Sequence, residues 1–321
     1  MIRGLFGRPG EKPVAVDSPA EIARLLKGGQ GCLWIDLQNP GPAERAILTD
    51  VFEFHEMAVQ HCVGQTNHPR LHDYGSYLYM VFHAVRGVLP LATSELDVFL
   101  GATYLVTYHE DPLPAIEEVR KRAVEVGHVM HRGPDRVLGD VLDELADGFV
   151  GSMESLDASV DTLEDRLFKH ASRVALRETF RMKKDVLHLR RVVSPQREVL
   201  HRLSRGEFTL VSADDSHVFR DVHDRIARTS EMLETFRDVL STAMEVYLTV
   251  VSNRTNEIVK VLTIVSIILM SASLLTGIYG MNIPLPLQDA KHPRAAFAVI
   301  LALMGVIATG LLLLFRNRKW I

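Results

Sequence analysis

The hydrophobic positions change period along the chain. In the first 110 residues they fall in short runs. Cys32–Leu37, Tyr77–Val85, Leu96–Leu100 and Thr103–Tyr108 are five to nine residues long and rich in apolar, β-branched and aromatic side chains, which predicts strands. Asn39, Pro40 and Gly41 close the first run as a turn. Pro42–Phe54 sets Ala43, Ile47, Val51 and Phe54 on one face, which predicts a helix. Asp111 and Pro112 end the last strand and open a helical stretch.

From about Arg136 the spacing becomes three and four: Leu138, Leu142, Leu145, Phe149, Met153, Leu156. A second helix is expected from about Ala175 to Leu203, interrupted near Ser194 and Pro195, and Gly206 to Ser216 reads as a linker. The third pattern starts near His217 and meets no Pro or Gly until Gly277. Some 60 residues at 1.5 Å each make about 90 Å of helix, too long for the interior of one domain.

Its end is apolar. Val261 to Ile278 and Ala295 to Phe315 are 18 and 21 residues without a charge, long enough to cross roughly 30 Å of hydrocarbon. Two such stretches exclude a purely cytosolic enzyme and a many-span carrier. The mean hydropathy of +0.09 reflects these stretches. Residues 1–254 carry 38 acids and 30 bases, whereas residues 255–321 carry 2 and 6. The acidic first part argues against a nucleic-acid partner. Arg254, Lys260, Arg316, Arg318 and Lys319 flank the spans on one side, against Lys291 and Arg294 in the loop, so both termini are expected in the cytoplasm. No apolar leader stands between Met1 and Pro13. Cys32 and Cys62 form no paired motif, which argues against a disulfide framework or thiolate zinc site.

Stepping back from Gly277 by four and three gives Ser273, Met270, Ser266, Thr263, Val259, Asn256, Ser252, Thr249, Glu245 and Thr242. A 3.5-residue period keeps these positions on a common axis. The stripe is mostly small or polar while its neighbours are apolar. Small residues also let helices pack closely, but a stripe that continues through Asn256 and Glu245 favours a water-filled path. One stripe per chain cannot enclose a pore, so a symmetric homo-oligomer is expected. A membrane-anchored sensor or scaffold is the alternative; an anchor has no need of eleven positions in phase.

Thr276-Gly277-Ile278-Tyr279-Gly280-Met281-Asn282, between two final spans, resembles the signature of the CorA family of divalent-cation transporters. Asn256 to Thr263 resembles the family's approach to its first span. Phe219 to Val222 and Glu234 to Asp238 resemble its stalk helix, and Trp34 to Leu37 its early strand. The resemblance implies an α/β N-terminal cytosolic domain, long stalk helices and two C-terminal transmembrane helices, in a homopentameric funnel. The expected order is an α/β domain at 1–135, stalk at 136–260, pore-lining span at 261–279, outer loop at 280–294, second span at 295–315 and basic tail at 316–321.

The implied function is passive Mg²⁺ transport, with Co²⁺ or Ni²⁺, across the inner membrane and driven by its potential; no enzyme activity or nucleotide is implied. Gly280, Met281 and Asn282 would form the mouth, with Asn282 meeting the hydrated ion. Gly277, Ser273, Met270, Ser266, Thr263, Leu262, Val259 and Asn256 would line the conduit, with Glu245 further in. Mg²⁺ gives up water reluctantly and prefers oxygen, and amide and hydroxyl oxygens can hold its water shell. Val259, Leu262 and Met270 would form an apolar constriction.

Departures from the family concern the ion. The loop Ile283 to Asp289 lacks the Glu usual in magnesium members; zinc-transporting ZntB relatives lack it too. Ser271 replaces the proline of the first span. An intersubunit regulatory acid pair corresponds to Gln60 and His61, with Asp221 as partner. Imidazole suits Zn²⁺ or Co²⁺ better than Mg²⁺, and a plain surface histidine is the other reading of His61. ZntB-like Zn²⁺ transport therefore stays open. His55, Glu56 and His61 lack zinc-protease spacing, and Gly7 to Lys12 lacks P-loop spacing. The 14 histidines mostly fall singly on polar helix faces. Asp157, Asp161, Glu164 and Asp165 read as a solvated acidic face, with cation attraction as the alternative.

Overall fold

The computed structural model describes residues 1–64, 68–87, 90–126, 128–169, 172–281, 285, 293–318 and 320. It comprises two compact units, Met1–Met244 and Glu245–Ile321. In the first, β1 (Ile2–Gly7), β2 (Val14–Val16), β3 (Cys32–Gln38), β4 (Arg70–Asp73), β5 (Tyr77–Arg86), β6 (Ala92–Gly101) and β7 (Tyr104–His109) form one sheet in the order β2-β1-β3-β7-β6-β5-β4. The central β3–β7 pair is parallel and the others are antiparallel.

Side chains alternate across each strand. Leu33, Ile35, Leu37, Tyr79, Val81, Phe99, Val106 and Tyr108 point to one face and pack with Ile22, Ile47, Leu48, Ala58 and Cys62. These come from α1 (Pro19–Gly28), α3 (Ile47–Asp50) and α4 (Glu56–Val63), with α2 (Pro42–Arg45) before them. The opposite face carries α5 (Pro114–Val126), α6 (His128–His131), α7 (Pro134–Lys169) and α8 (Arg173–Ser204). Of these, α7 lies across β3, β5, β6 and β7, and α8 against β4, β5 and β6. Burial on both faces is why β3 reads as an apolar run rather than an alternation.

Two expectations need correction. Pro42–Phe54 is not one helix: α2 and α3 are single turns, and Glu53 takes a left-handed φ of 53°. That reversal lets Phe54 stack on Phe99, ring centres 4.2 Å apart. The expected interruption at Pro195 is also absent, because α8 runs through it. Proline removes one donor, but Val192, Val193, Gln196, Val199 and Leu200 are all buried around it and hold the helix in place.

The long helix α9 (Ser216–Tyr279) contributes its residues up to Met244 to the first unit. There it runs antiparallel to α8: Lys183 Nζ donates to Ser241 Oγ at 2.9 Å, and Arg190 to Glu234 Oε1 at 3.2 Å. Against α7, Gly139 leaves room for Val218, whose Cγ1 would stand 3.0 Å from a β-carbon there. The second unit holds the rest of α9 and α10 (Pro293–Asn317).

Candidate functional site

The apolar parts of α9 and α10 are the two helices long and apolar enough to cross a membrane among the described residues, and they are hardly buried within the chain. In α9, Ile264 is buried, and Ile267, Ile268, Ser271, Ala272, Leu275 and Tyr279 are half-buried. These positions repeat at three and four and lie on one face. At 100° per residue, Ser266, Met270, Ser273 and Gly277 fall on the opposite face, and all four are exposed. Asn256, Val259, Leu262 and Glu245 are exposed as well, with Thr263 half-buried. The polar stripe thus lies on a side of α9 that the single chain leaves uncovered, together with apolar neighbours such as Val265, Leu269 and Leu274.

Its hydroxyls are oriented by the helix. Thr263 Oγ1 donates to the Val259 carbonyl at 2.8 Å and Thr249 Oγ1 to that of Glu245 at 3.0 Å. A hydroxyl that has given its proton to the backbone presents lone pairs outward. That suits a hydrated cation, whose waters offer hydrogens. Ser271, at the position of the family's proline, donates to the Ile267 carbonyl at 2.8 Å, and α9 passes it without a break.

At the helix end, the Gly280 N–H donates to the Thr276 carbonyl at 2.8 Å, and that of Met281 to Ile278 at 3.2 Å. A β-carbon on Gly280 would stand 2.8 Å from the Thr276 oxygen, so this tight turn excludes side chains. Met281 is exposed. Asn282 and most of the loop after it lie outside the described residues.

His61 sits half-buried in the last turn of α4, and burial, then the charges of Arg70 and His72, hold its pKa below the ordinary value. Asp221 is exposed on α9. Among the described residues no group of three or more His, Cys, Asp or Glu is arranged to hold a metal ion.

The sheet carries two polar centres that periodicity did not reveal. Asp36 is fully buried; it accepts from Arg3 at 2.6 Å and from Thr107 Oγ1 at 2.7 Å, and it lies 3.1 Å from His109 Nε2. Burial pushes its pKa up, but His109, Thr107 and Arg3 outweigh that and hold it below the usual carboxylate value. The second centre is a cavity of about 100 Å³ lined by Cys62, His83, Ser94, Asp97 and Tyr108 among others. Burial, reinforced by the charge of Glu95, raises the Asp97 carboxyl well above its ordinary value, and Tyr79 donates to it at 2.5 Å. Buried His83 has no hydrogen-bond partner at either ring nitrogen among the described residues.

An α/β domain that continues through one long helix into two apolar helices, the first bearing a polar stripe, defines a two-span membrane protein. Residues 29–318 match the family model described as CorA-like Mg²⁺ transporter protein. The chain is 30% identical to YfjQ of Bacillus subtilis (strain 168), covering 93% of each. It is 29% identical to the cobalt/magnesium transport protein CorA of Thermotoga maritima, covering 85% of this chain and 78% of that one. The complete structure of the CorA magnesium transporter from Methanocaldococcus jannaschii superposes with a TM-score of 0.85 at 23% identity, covering 100% of this chain and 99% of that chain. The chain belongs to the CorA family, a family of divalent-cation transporters.

Proposed function

We propose that this chain forms a homopentameric conduit for Mg²⁺, and for Co²⁺ or Ni²⁺, across the cytoplasmic membrane. The observation that supports this reading best is the polar stripe of α9, whose members Ser266, Met270, Ser273 and Gly277 are exposed opposite the positions covered within the chain. Five copies of that stripe around an axis would enclose a path of hydroxyl, amide and backbone oxygens. In this reading Asn282 and the turn Gly280-Met281 receive the hydrated ion at the outer mouth. Val259, Leu262 and Met270 narrow the path, and Glu245 concentrates cations at the cytoplasmic end. Both termini face the cytoplasm. The membrane potential supplies about 2.3 kcal/mol per charge per 100 mV, hence about 4.6 for a divalent ion, so no nucleotide is consumed. The cobalt and magnesium in the name of the Thermotoga maritima relative agree with this ion choice.

Zinc transport is the second reading. It is favoured by the missing Glu in the loop from Ile283 to Asp289 and by His61 where an acid is usual. His61 of one protomer and Asp221 of the next would then form a softer regulatory site. Uptake into proteoliposomes of Mg²⁺, Co²⁺, Ni²⁺ and Zn²⁺, for wild type and Asn282→Ala, separates the readings. Magnesium flux lost in a well-folded Asn282→Ala pentamer supports the first. Flux of Zn²⁺ alone supports the second, and unchanged flux in the variant removes the pore-mouth assignment.

A further inference from the structure

The packing of α8 against α9 brings two histidines together. The rings of His201, near the end of α8, and His223, in the second turn of α9, have centroids 5.3 Å apart. Both are half-buried, which leaves the pair open to an ion from solvent. Their backbones are well anchored: Leu200, Phe219, Val222 and Ile226 beside them are almost fully buried. The interhelical contacts Lys183–Ser241 and Arg190–Glu234 hold the same register further along.

We propose that His201 and His223 form a binding site for a transition-metal dication, Zn²⁺ in preference to Mg²⁺, on the soluble unit and apart from the pore. The spacing fits the chemistry. An imidazole nitrogen binds zinc at about 2.0–2.1 Å and its ring centre lies about 1.1 Å beyond, so two imidazoles at a tetrahedral angle have centres about 5.2 Å apart. Asp224 adds the usual support for a metal-binding histidine. Its Oδ1 lies 3.1 Å from His223 Nδ1, which fixes the ring and leaves Nε2 as the donor. Among the described residues the His201 ring has no hydrogen-bond partner, so either nitrogen can serve. Water completes the coordination. A nitrogen pair with no carboxylate in the inner shell discriminates against Mg²⁺, which demands oxygen.

The site is tested on the purified full chain in detergent, by calorimetric titration with Zn²⁺ in excess Mg²⁺ and by the visible absorption of bound Co²⁺. Wild type should bind one Zn²⁺ per chain at this site, undisturbed by Mg²⁺, and give the intense visible bands of tetrahedral Co²⁺. Asp224→Asn should weaken binding by about ten-fold, and His201→Ala or His223→Ala by more. His201→Gln and His223→Gln, closer to histidine in volume, serve if an alanine variant melts early. Zinc binding unchanged in the doubly substituted protein overturns the proposal, as does Mg²⁺ displacing the Zn²⁺. Because the measurement is equilibrium binding without a membrane, a failure of the transport reading does not imitate either result.

Discussion

Gln196, one residue past the proline of α8, accepts a hydrogen bond at Oε1 from the backbone N–H of His83 on β5 at 2.9 Å. The bond fills a gap in the sheet. β4 pairs with β5 only as far as Val81, so among the described residues β5 beyond that point has no strand partner on that side. An unpaired strand edge needs cover, and here a helix side chain supplies it. Gln196 is 2% exposed, so water cannot replace it. Gln196→Ala should cost about 2 kcal/mol, the penalty for a buried unsatisfied donor. Hydrogen exchange at the His83 amide should accelerate while that of β3 does not. Unchanged exchange at His83 would show that the bond holds nothing.

The ring of the same His83 makes the soluble unit acid-sensitive. Burial, helped by the charges of His188 and His68, lowers its pKa to about 4. The folded-state value is below the unfolded one of about 6.5, so the unfolded chain takes the proton first. The stabilisation is complete above about pH 6.5 and is lost as pH falls toward 4. Between pH 7 and pH 5 this single group should cost about 2 kcal/mol. Denaturation midpoints of wild type and His83→Leu at the two pH values check it. The wild type should lose more stability on acidification than the variant, and parallel losses would refute the assignment.

Arg225 of α9 reaches both Asp143 and Asp147, one turn apart on α7. The aspartates are partly exposed, so the clamp is worth about 1 kcal/mol rather than the several of a buried pair. Arg225→Gln should lower the melting midpoint by that equivalent at low ionic strength. The gap between wild type and variant should shrink as salt is raised. A gap that does not depend on salt would mean the arginine acts through packing of its stem.

The spans and the polar stripe were legible in the sequence because both are local: a run without charges, and a 3.5-residue repeat within one helix. The central strands were legible because burial on both faces leaves them uniformly apolar. β1 was not, since Arg3, Gly4 and Gly7 dilute its pattern. Gly4 belongs there for a tertiary reason: a β-carbon would run into the carbonyl oxygen of Val16 on the neighbouring strand. The split of Pro42–Phe54 also depends on a distant partner, Phe99. Of the site, the stripe could be read directly, whereas His201 and His223 looked like separate surface histidines. Only the register of α8 on α9 brings them together, and no periodicity within either helix encodes that register.

That stripe can be tested position by position, because the native thiols give little background. Cys32 and Cys62 are 2% and 1% exposed. Burial, then the charge of Asp135, pushes the Cys32 thiol up to about 12, and burial raises Cys62 well above its ordinary value. Neither forms the reactive thiolate near neutral pH. A cysteine introduced in a water-filled path does ionise and meets a charged methanethiosulfonate reagent, whereas one against lipid or another helix stays protonated and inaccessible. Thr263→Cys, Ser266→Cys and Ser273→Cys should therefore be modified in proteoliposomes, and Mg²⁺ flux should fall as they react. Val261→Cys, Val265→Cys and Ile268→Cys, off the stripe, should show little of either effect. The alternation is the diagnostic, since general looseness of α9 would label both sets alike. Block confined to the off-stripe positions would place the conduit on another face, and reactivity without phase would argue that α9 serves as an anchor.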